Sequence, residues 1–310
     1  MNVAFRGPRP SRSLAHARDD IVAWWLAPEP QINVTVARVL LALTALWVIL
    51  SRFDLPSILQ LPQALWDTVP FERRARFLLL FPVAVERVLW IALHVALLLA
   101  LFGVKERWSC IASGLLLYHF APLETIIWTP NPYLRGLTIP CLGLLILGFA
   151  QRAGWGLRLT QFILCCIYFF AGYSKLFSSG IEWASSHNIR LYLIGLDDFL
   201  GFHTSAARFI ADQPALCRFI GIFGIAFELV FPIILFRRSW RRVFVPLAVV
   251  FHILNSWLFH VFFHDIALLL IFFDFSGARD AFVRRHAAGS RGSRTASTGQ
   301  EADRAGTSHG

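Results

Sequence analysis

Charged residues are scarce in this chain, with Asp, Glu, Lys and Arg together making up 15% of its 310 residues, where a soluble domain carries about a quarter. That is too little polar cover for the exterior of an ordinary soluble enzyme, and a hydrophobic content of 56% with mean hydropathy +0.59 excludes general disorder. Lysine is almost missing, at two residues against 27 arginines. The five cysteines, Cys110, Cys141, Cys165, Cys166 and Cys217, are odd in number, lie in apolar segments and contain no C-x-x-C spacing. They read as small buried hydrophobes, and exclude a disulfide framework. There is no Gly-rich phosphate loop, serine nucleophile elbow or H-E-x-x-H pattern, which removes the familiar hydrolytic and nucleotide chemistries. The longest apolar run in the first 30 residues, Ile21 to Ala27, is short for a signal-peptide core, so no cleaved signal is expected.

What is abundant is apolar length. Stretches of 17 to 21 apolar residues recur along the chain, and about 20 residues cross a bilayer as a helix. By apolar length and charged borders, spans are expected near 33–50, 88–104, 107–122, 134–150, 157–176, 216–236, 243–262 and 264–275. The last is too short to cross alone. The fold class is therefore all-α, a polytopic transmembrane helical bundle of seven to eight spans with added interfacial helices, and its first partner is the lipid bilayer.

Net charge is +10, but the arginines sit in short segments between apolar stretches, as the positive-inside rule requires. No basic surface interleaved with aromatics is present, so nucleic acid is not an expected partner. Counting those arginines places both termini in the cytoplasm of an integral multi-pass protein, in the plasma (inner) membrane if the source is bacterial. Loop one is the exception, since Arg52, Arg73, Arg74 and Arg76 fall outside. Phe77 to Val85, broken by Pro82, reads as an interfacial or re-entrant helix, as does Asp19 to Ala27 with Trp24 and Trp25. Three segments follow: 1–29, a cytoplasmic lead with its interfacial helix; 30–275, the transmembrane domain; and 276–310, a basic tail expected to be disordered. Between Phe177 and Ala215, the half-apolar piece Ile189 to Phe202 is expected to fold back over the outer mouth of the bundle.

Ionisable groups inside spans cost about 2.5 to 3.5 kcal/mol each and mark the informative positions. They are Arg38, His94, His119, Lys175, Glu228, His252, His260, His264, Asp265 and Asp274. Lys175 ends the fifth span with Tyr168, Ala171 and Gly172 on its own helix face. Small residues there let a neighbouring helix approach, so the face points into the bundle. Two readings stand for Lys175: an amine in an apolar cavity able to accept a proton, or a lysine snorkelling to headgroups. Glu228 lies mid-span, four residues before Pro232, whose missing N–H frees the Glu228 carbonyl and should bend the helix. The alternative for Glu228 is a carboxyl paired with Arg38 or a histidine, or protonated. His252 and Asn255 share a face of the seventh span. His260 and His264 have metal-pair spacing, but nothing supplies further ligands and no metal is expected. His94 and His119 read as hydrogen-bonded packing residues.

The string Tyr168 to Trp183 (YFFAGYSKLFSSGIEW), followed by FELVFP (Phe227 to Pro232) and FHILNSWLF (Phe251 to Phe259), resembles the HTTM family, the horizontally transferred transmembrane domain related to the membrane part of vitamin K-dependent gamma-carboxylase. Arg38, in VARVLLALTALW, is similar to the arginine of the family's first helix and takes a structural role. The resemblance implies that Lys175 is a catalytic base acting on a reduced isoprenoid quinone, a quinol, or another lipid-soluble small molecule. Tyr168, Glu228, His252, Asn255 and Asn131 would then bind substrate. Asn131, in TPNPYLRGL, stands where the carboxylase pattern has histidine, and the large extracytoplasmic domain that grips peptides is not in this sequence. Carboxylase-like or oxygenase-like use of a quinol is one reading. A non-enzymatic lipid- or partner-binding component, with Lys175 paired to Glu228 for packing, is the other.

Overall fold

The computed structural model describes residues 19, 22–52, 81–127, 136–151, 153–200, 204–259, 261, 263 and 265–277. Among them all regular structure is helical. The helices are α1 (Gln31–Arg52), α2 (Val83–Phe102), α3 (Glu106–Ile127), α4 (Thr138–Ala150), α5 (Gly154–Ser179), α6 (Ser186–Leu200), α7 (Ser205–Ala211), α8 (Pro214–Val230), α9 (Ile233–Phe236) and α10 (Arg238–Phe259). Two 3₁₀ segments, Gly180–Ala184 and Ile266–Phe272, complete them.

Among the described residues, five stretches are long and apolar enough to cross a membrane: Gln31–Ser51, Val83–Phe102, Gly154–Ala184, Pro214–Phe236 and Arg238–Phe259. The other expected spans are helical too, but fit the bilayer less simply. Helix α3 has 22 residues, but Glu106, Arg107 and Glu124 dilute its apolar character. Helix α4 has 13 residues, about 20 Å at 1.5 Å per residue, against a hydrocarbon core of about 30 Å. The final segment, Ile266–Phe272, is a seven-residue 3₁₀ helix, so the expected short span at 264–275 does not cross alone.

Turn chemistry explains the hairpin of α2 and α3. Gly103 closes α2 at φ 73°, and Val104 N–H bonds Leu99 O at 2.9 Å, the left-handed C-terminal cap that glycine adopts without a Cβ penalty. A Cβ at Gly103 would also stand 3.0 Å from the Arg38 guanidinium. Arg38, buried on α1, donates to Ala100 O and, at 3.3 Å, to Leu101 O, and lies 3.2 Å from Glu106. One side chain thus satisfies the last carbonyls of α2 and pairs with the first acid of α3.

The same end of the bundle is pinned twice more. Arg158, at the start of α5, donates to Trp25 O, Ala27 O and Glu29 at 2.8, 2.7 and 2.6 Å. Asn33 donates to Asp274 at 3.1 Å and accepts from Phe275 N–H. The Ser276 N–H and the Asn33 amide hold the Asp274 carboxyl below its usual range. Residues 25–33 and 274–276 therefore meet at one end, together with the starts of α3, α5 and α10. The expected interfacial helix at 19–27 is helical over 22–26. The one expected at 77–85 is not formed as drawn: Pro82 caps α2, which begins at Val83, because proline suits a helix start. Residues 77–80 of that expectation lie outside the described residues.

Helix α1 is central. Ala37, Leu41, Ala42, Ala45 and Val48 are fully buried in a core shared with α2 to α5, α8 and the last 3₁₀ segment. A second cluster joins Ile189 and Leu193 of α6 to Ala207, Ala211, Cys217 and Leu258. The apolar piece after α5 does fold back, then, but against the flanks of α8 and α10.

Candidate functional site

Helix α5 buries Gln161, Leu164, Cys165, Tyr168 and Gly172 on one side, the three- and four-residue spacing of a single helix face. Gly172 decides how near α8 can come. A Cβ there would stand 3.0 Å from Glu228 Cβ, 3.1 Å from Leu229 Cγ and 3.2 Å from Ile225 O. With only hydrogen at that position, the two backbones close, and Lys175, one turn on, meets Glu228. Its Nζ lies 2.5 Å from both carboxylate oxygens, with the side chains 11% and 8% exposed. The ammonium also sits 4.8 Å from the centre of the Trp183 ring, a cation–π contact. Trp183 is held by the Asn188 amide, which donates to its carbonyl at 2.7 Å.

Two turns earlier on α5, the Tyr168 hydroxyl is hydrogen-bonded to His252 Nε2 of α10. Tyr168 and Lys175 are separated along the helix by roughly 10 Å. Phe231 stacks on Tyr168 at 4.0 Å and Phe227 meets it edge-on at 6.1 Å. Phe263 lies 4.2 Å from the His252 ring. His252 is 7% exposed and its Nδ1 has no partner among the described residues. Two polar pairs, one ionic and one phenol–imidazole, thus share an aromatic-walled zone between α5, α8 and α10.

Pro232 acts as the sequence suggested, with a stronger result. Helix α8 stops at Val230 and a separate turn, α9, begins at Ile233. The hydrogen-bond ladder is broken there, because Pro232 cannot donate to Glu228 O, while Phe231 and Pro232 keep helical backbone angles. Glu228 occupies the last turn before the break.

Of the expected site residues, Lys175 pairs with Glu228 and Tyr168 with His252, two separate pairs spaced along α5. Asn255 does not join them; its amide donates to Phe251 O at 2.9 Å. Arg38 lies at the α1–α2–α3 junction, so Glu228 pairs with Lys175 and not with Arg38 or a histidine. His94 bonds Trp90 O at 2.8 Å as a packing residue. Asp265 offers its backbone carbonyl to Leu268 N–H. Asn131, His260 and His264 lie outside the described residues. Among the described residues no group of three or more His, Cys, Asp and Glu is placed to hold a metal ion.

Sequence reading missed two contacts. His119 Nε2 lies 2.9 Å from fully buried Glu86, which also accepts Phe81 N–H. Glu86 precedes the point where the apolar run was taken to start, so its acid went uncounted. Gln161 donates to Ile271 O at 2.7 Å, a distant pairing with no sequence signature.

Residues 149–276 match the family model described as HTTM domain. The matched stretch contains both polar pairs and ends with the last 3₁₀ segment, while Arg38 lies before it. No curated protein and no solved structure matches the chain.

Proposed function

Because residues 149–276 carry an HTTM domain in an all-helical integral membrane protein, we propose that the two polar pairs on α5 form a proton-handling site for a lipid-soluble hydroxyl compound of the quinol class. The observation that carries this reading is the pairing of Lys175 with Glu228 and of Tyr168 with His252 across three helices, with His252 Nδ1 left without a partner among the described residues. A buried nitrogen without a partner is costly, and a substrate hydroxyl would supply one. The Phe227, Phe231 and Phe263 rings suit a flat aromatic headgroup.

Lys175 cannot act as a base while it holds the ammonium proton. Transfer of that proton to Glu228 across 2.5 Å leaves a neutral amine and a neutral acid. The amine then takes the proton of the substrate hydroxyl, and Glu228 can relay its own outward. His252 and Tyr168 orient the substrate and line its site.

A second reading rests on the same ion pair. Lys175 is satisfied by two carboxylate oxygens and an indole, as a purely structural pair would be, and the chain would then be a lipid- or partner-binding component. Mass spectrometry of protein purified in mild detergent separates the two. A retained quinone, with a quinol-induced thermal shift that Lys175→Arg abolishes, supports proton handling, because guanidinium does not give up its proton. Bulk phospholipid alone, and an Arg variant identical to wild type, supports the structural pair.

Seven or eight crossings with both ends cytoplasmic complete the reading. Arg107, Arg158, Arg237, Arg238, Arg241 and Arg242 gather at the end where residues 25–33 and 274–276 meet, which the positive-inside rule assigns to the cytoplasm. Cysteines introduced at Ser186 and Gly277 test it: an impermeant reagent added outside should label 186 and spare 277, and the opposite pattern would invert the topology.

A further inference from the structure

The stretch Phe236 to Arg242 (FRRSWRR) holds four arginines at the point where the span Arg238–Phe259 begins. They do not share one role. Arg241 turns inward, donating to Ile234 O at 3.0 Å and to Phe272 O at 3.1 Å, and so fixes the backbone of the stretch against the bundle. Arg237, Arg238 and Arg242 point outward and are exposed. None of the three makes an ion pair with an acid among the described residues. Asp274 is close enough to Arg238 to feel its charge, but is already bonded to Asn33 and Ser276. Phe236, 84% exposed, and Trp240, 42% exposed, flank the guanidinium groups.

Three guanidinium groups without an ion-pair partner among the described residues, at the mouth of a span, fixed by a fourth and flanked by an exposed phenyl and an indole, have the chemistry of a headgroup site. The guanidinium fork matches phosphate oxygens, and aromatic side chains settle at the boundary between headgroups and acyl chains. A free inorganic anion would leave the exposed Phe236 ring without a role. We infer that residues 236–242 dock an anionic phospholipid from the adjacent leaflet. This surface is independent of the Lys175 pair.

Each arginine near an anionic surface strengthens binding by about 1 kcal/mol, roughly fivefold. Native mass spectrometry of the full chain in mild detergent, titrated with phosphatidylglycerol or phosphatidylcholine, measures the preference. Wild type should favour phosphatidylglycerol. Arg237→Gln/Arg242→Gln should weaken that binding about 25-fold and leave phosphatidylcholine unchanged, while Arg237→Lys/Arg242→Lys should retain most of it. Lys105→Gln/Arg107→Gln removes the same charge from exposed positions at the same end and should change the affinity by less than about twofold. The inference is overturned by a wild type without headgroup preference, by an unaffected Arg237/Arg242 variant, or by an equal loss in the Lys105/Arg107 variant, which would assign the effect to diffuse charge.

Discussion

Replacing Glu228 by glutamine removes one charge from a pair whose members are 8% and 11% exposed and leaves the Lys175 ammonium with a neutral amide and the Trp183 ring. Breaking a buried ion pair from one side costs about 3 to 5 kcal/mol, because the remaining charge is desolvated without its partner. Glutamine keeps one acceptor oxygen, which places the expected loss near the lower end, about 3 kcal/mol. At about 2 °C per kcal/mol for a chain of this size, the melting temperature in detergent should fall by about 6 °C. Removing both charges has a different consequence. An apolar replacement of a whole buried pair is often neutral or stabilising, so Lys175→Met/Glu228→Leu should recover most of the loss seen in either single variant. The cycle reads the coupling directly. A double variant whose loss equals the sum of the two single losses would refute the pair as drawn here. If the double variant is stable but no longer shifts with added quinol, the pair matters to the ligand beyond its packing.

Gly172→Ala should cost about 1 to 3 kcal/mol by overpacking, since its Cβ would press on Glu228, Leu229 and Ile225 O. Gly195→Ala, with nothing within 4 Å of the new Cβ, should instead be neutral or gain about 0.5 to 1 kcal/mol from reduced backbone freedom; equal melting temperatures for the two variants would refute the close approach of α5 to α8. Tyr168→Phe strips the His252 ring of its only hydrogen bond among the described residues and should destabilise by about 1 to 3 kcal/mol, measured by thermal unfolding. Arg158→Gln removes the bonds to Glu29 and to the Trp25 and Ala27 carbonyls, and should raise hydrogen exchange in residues 22–30 while leaving α8 protected. Unchanged exchange in 22–30 would show that Arg158 does not hold that segment.

Much of the site was legible because membrane solvent makes its exceptions conspicuous. An acid, a lysine or a histidine within an apolar run is expensive, so Lys175, Glu228 and His252 stood out one by one. The three- and four-residue spacing of Tyr168, Gly172 and Lys175 further assigned a face. Pairing was not legible, since it depends on how close α5 and α8 come and on the register between them. Asn255 shows the limit: spacing put it on the face of His252, yet its amide found the carbonyl one turn back, a local bond that spacing does not exclude.

The sequence by itself determined the class of solvent, the helical content and which inter-helix segments carry the positive charge, because each depends on composition and local order along one segment. It also determined the break at Pro232, where a missing N–H acts on its own helix. Only the tertiary structure decided that Lys175 meets Glu228, that Tyr168 meets His252, that Arg38 bridges α2 to α3, and that Arg158 and Asn33 hold the residues flanking the bundle to one end. These partners lie 53, 84, 62, 129 and 241 residues apart. In an apolar interior each polar group must find a partner, but which one it finds depends on helix packing, where the hydrogen of Gly172 in place of a methyl sets the spacing between α5 and α8.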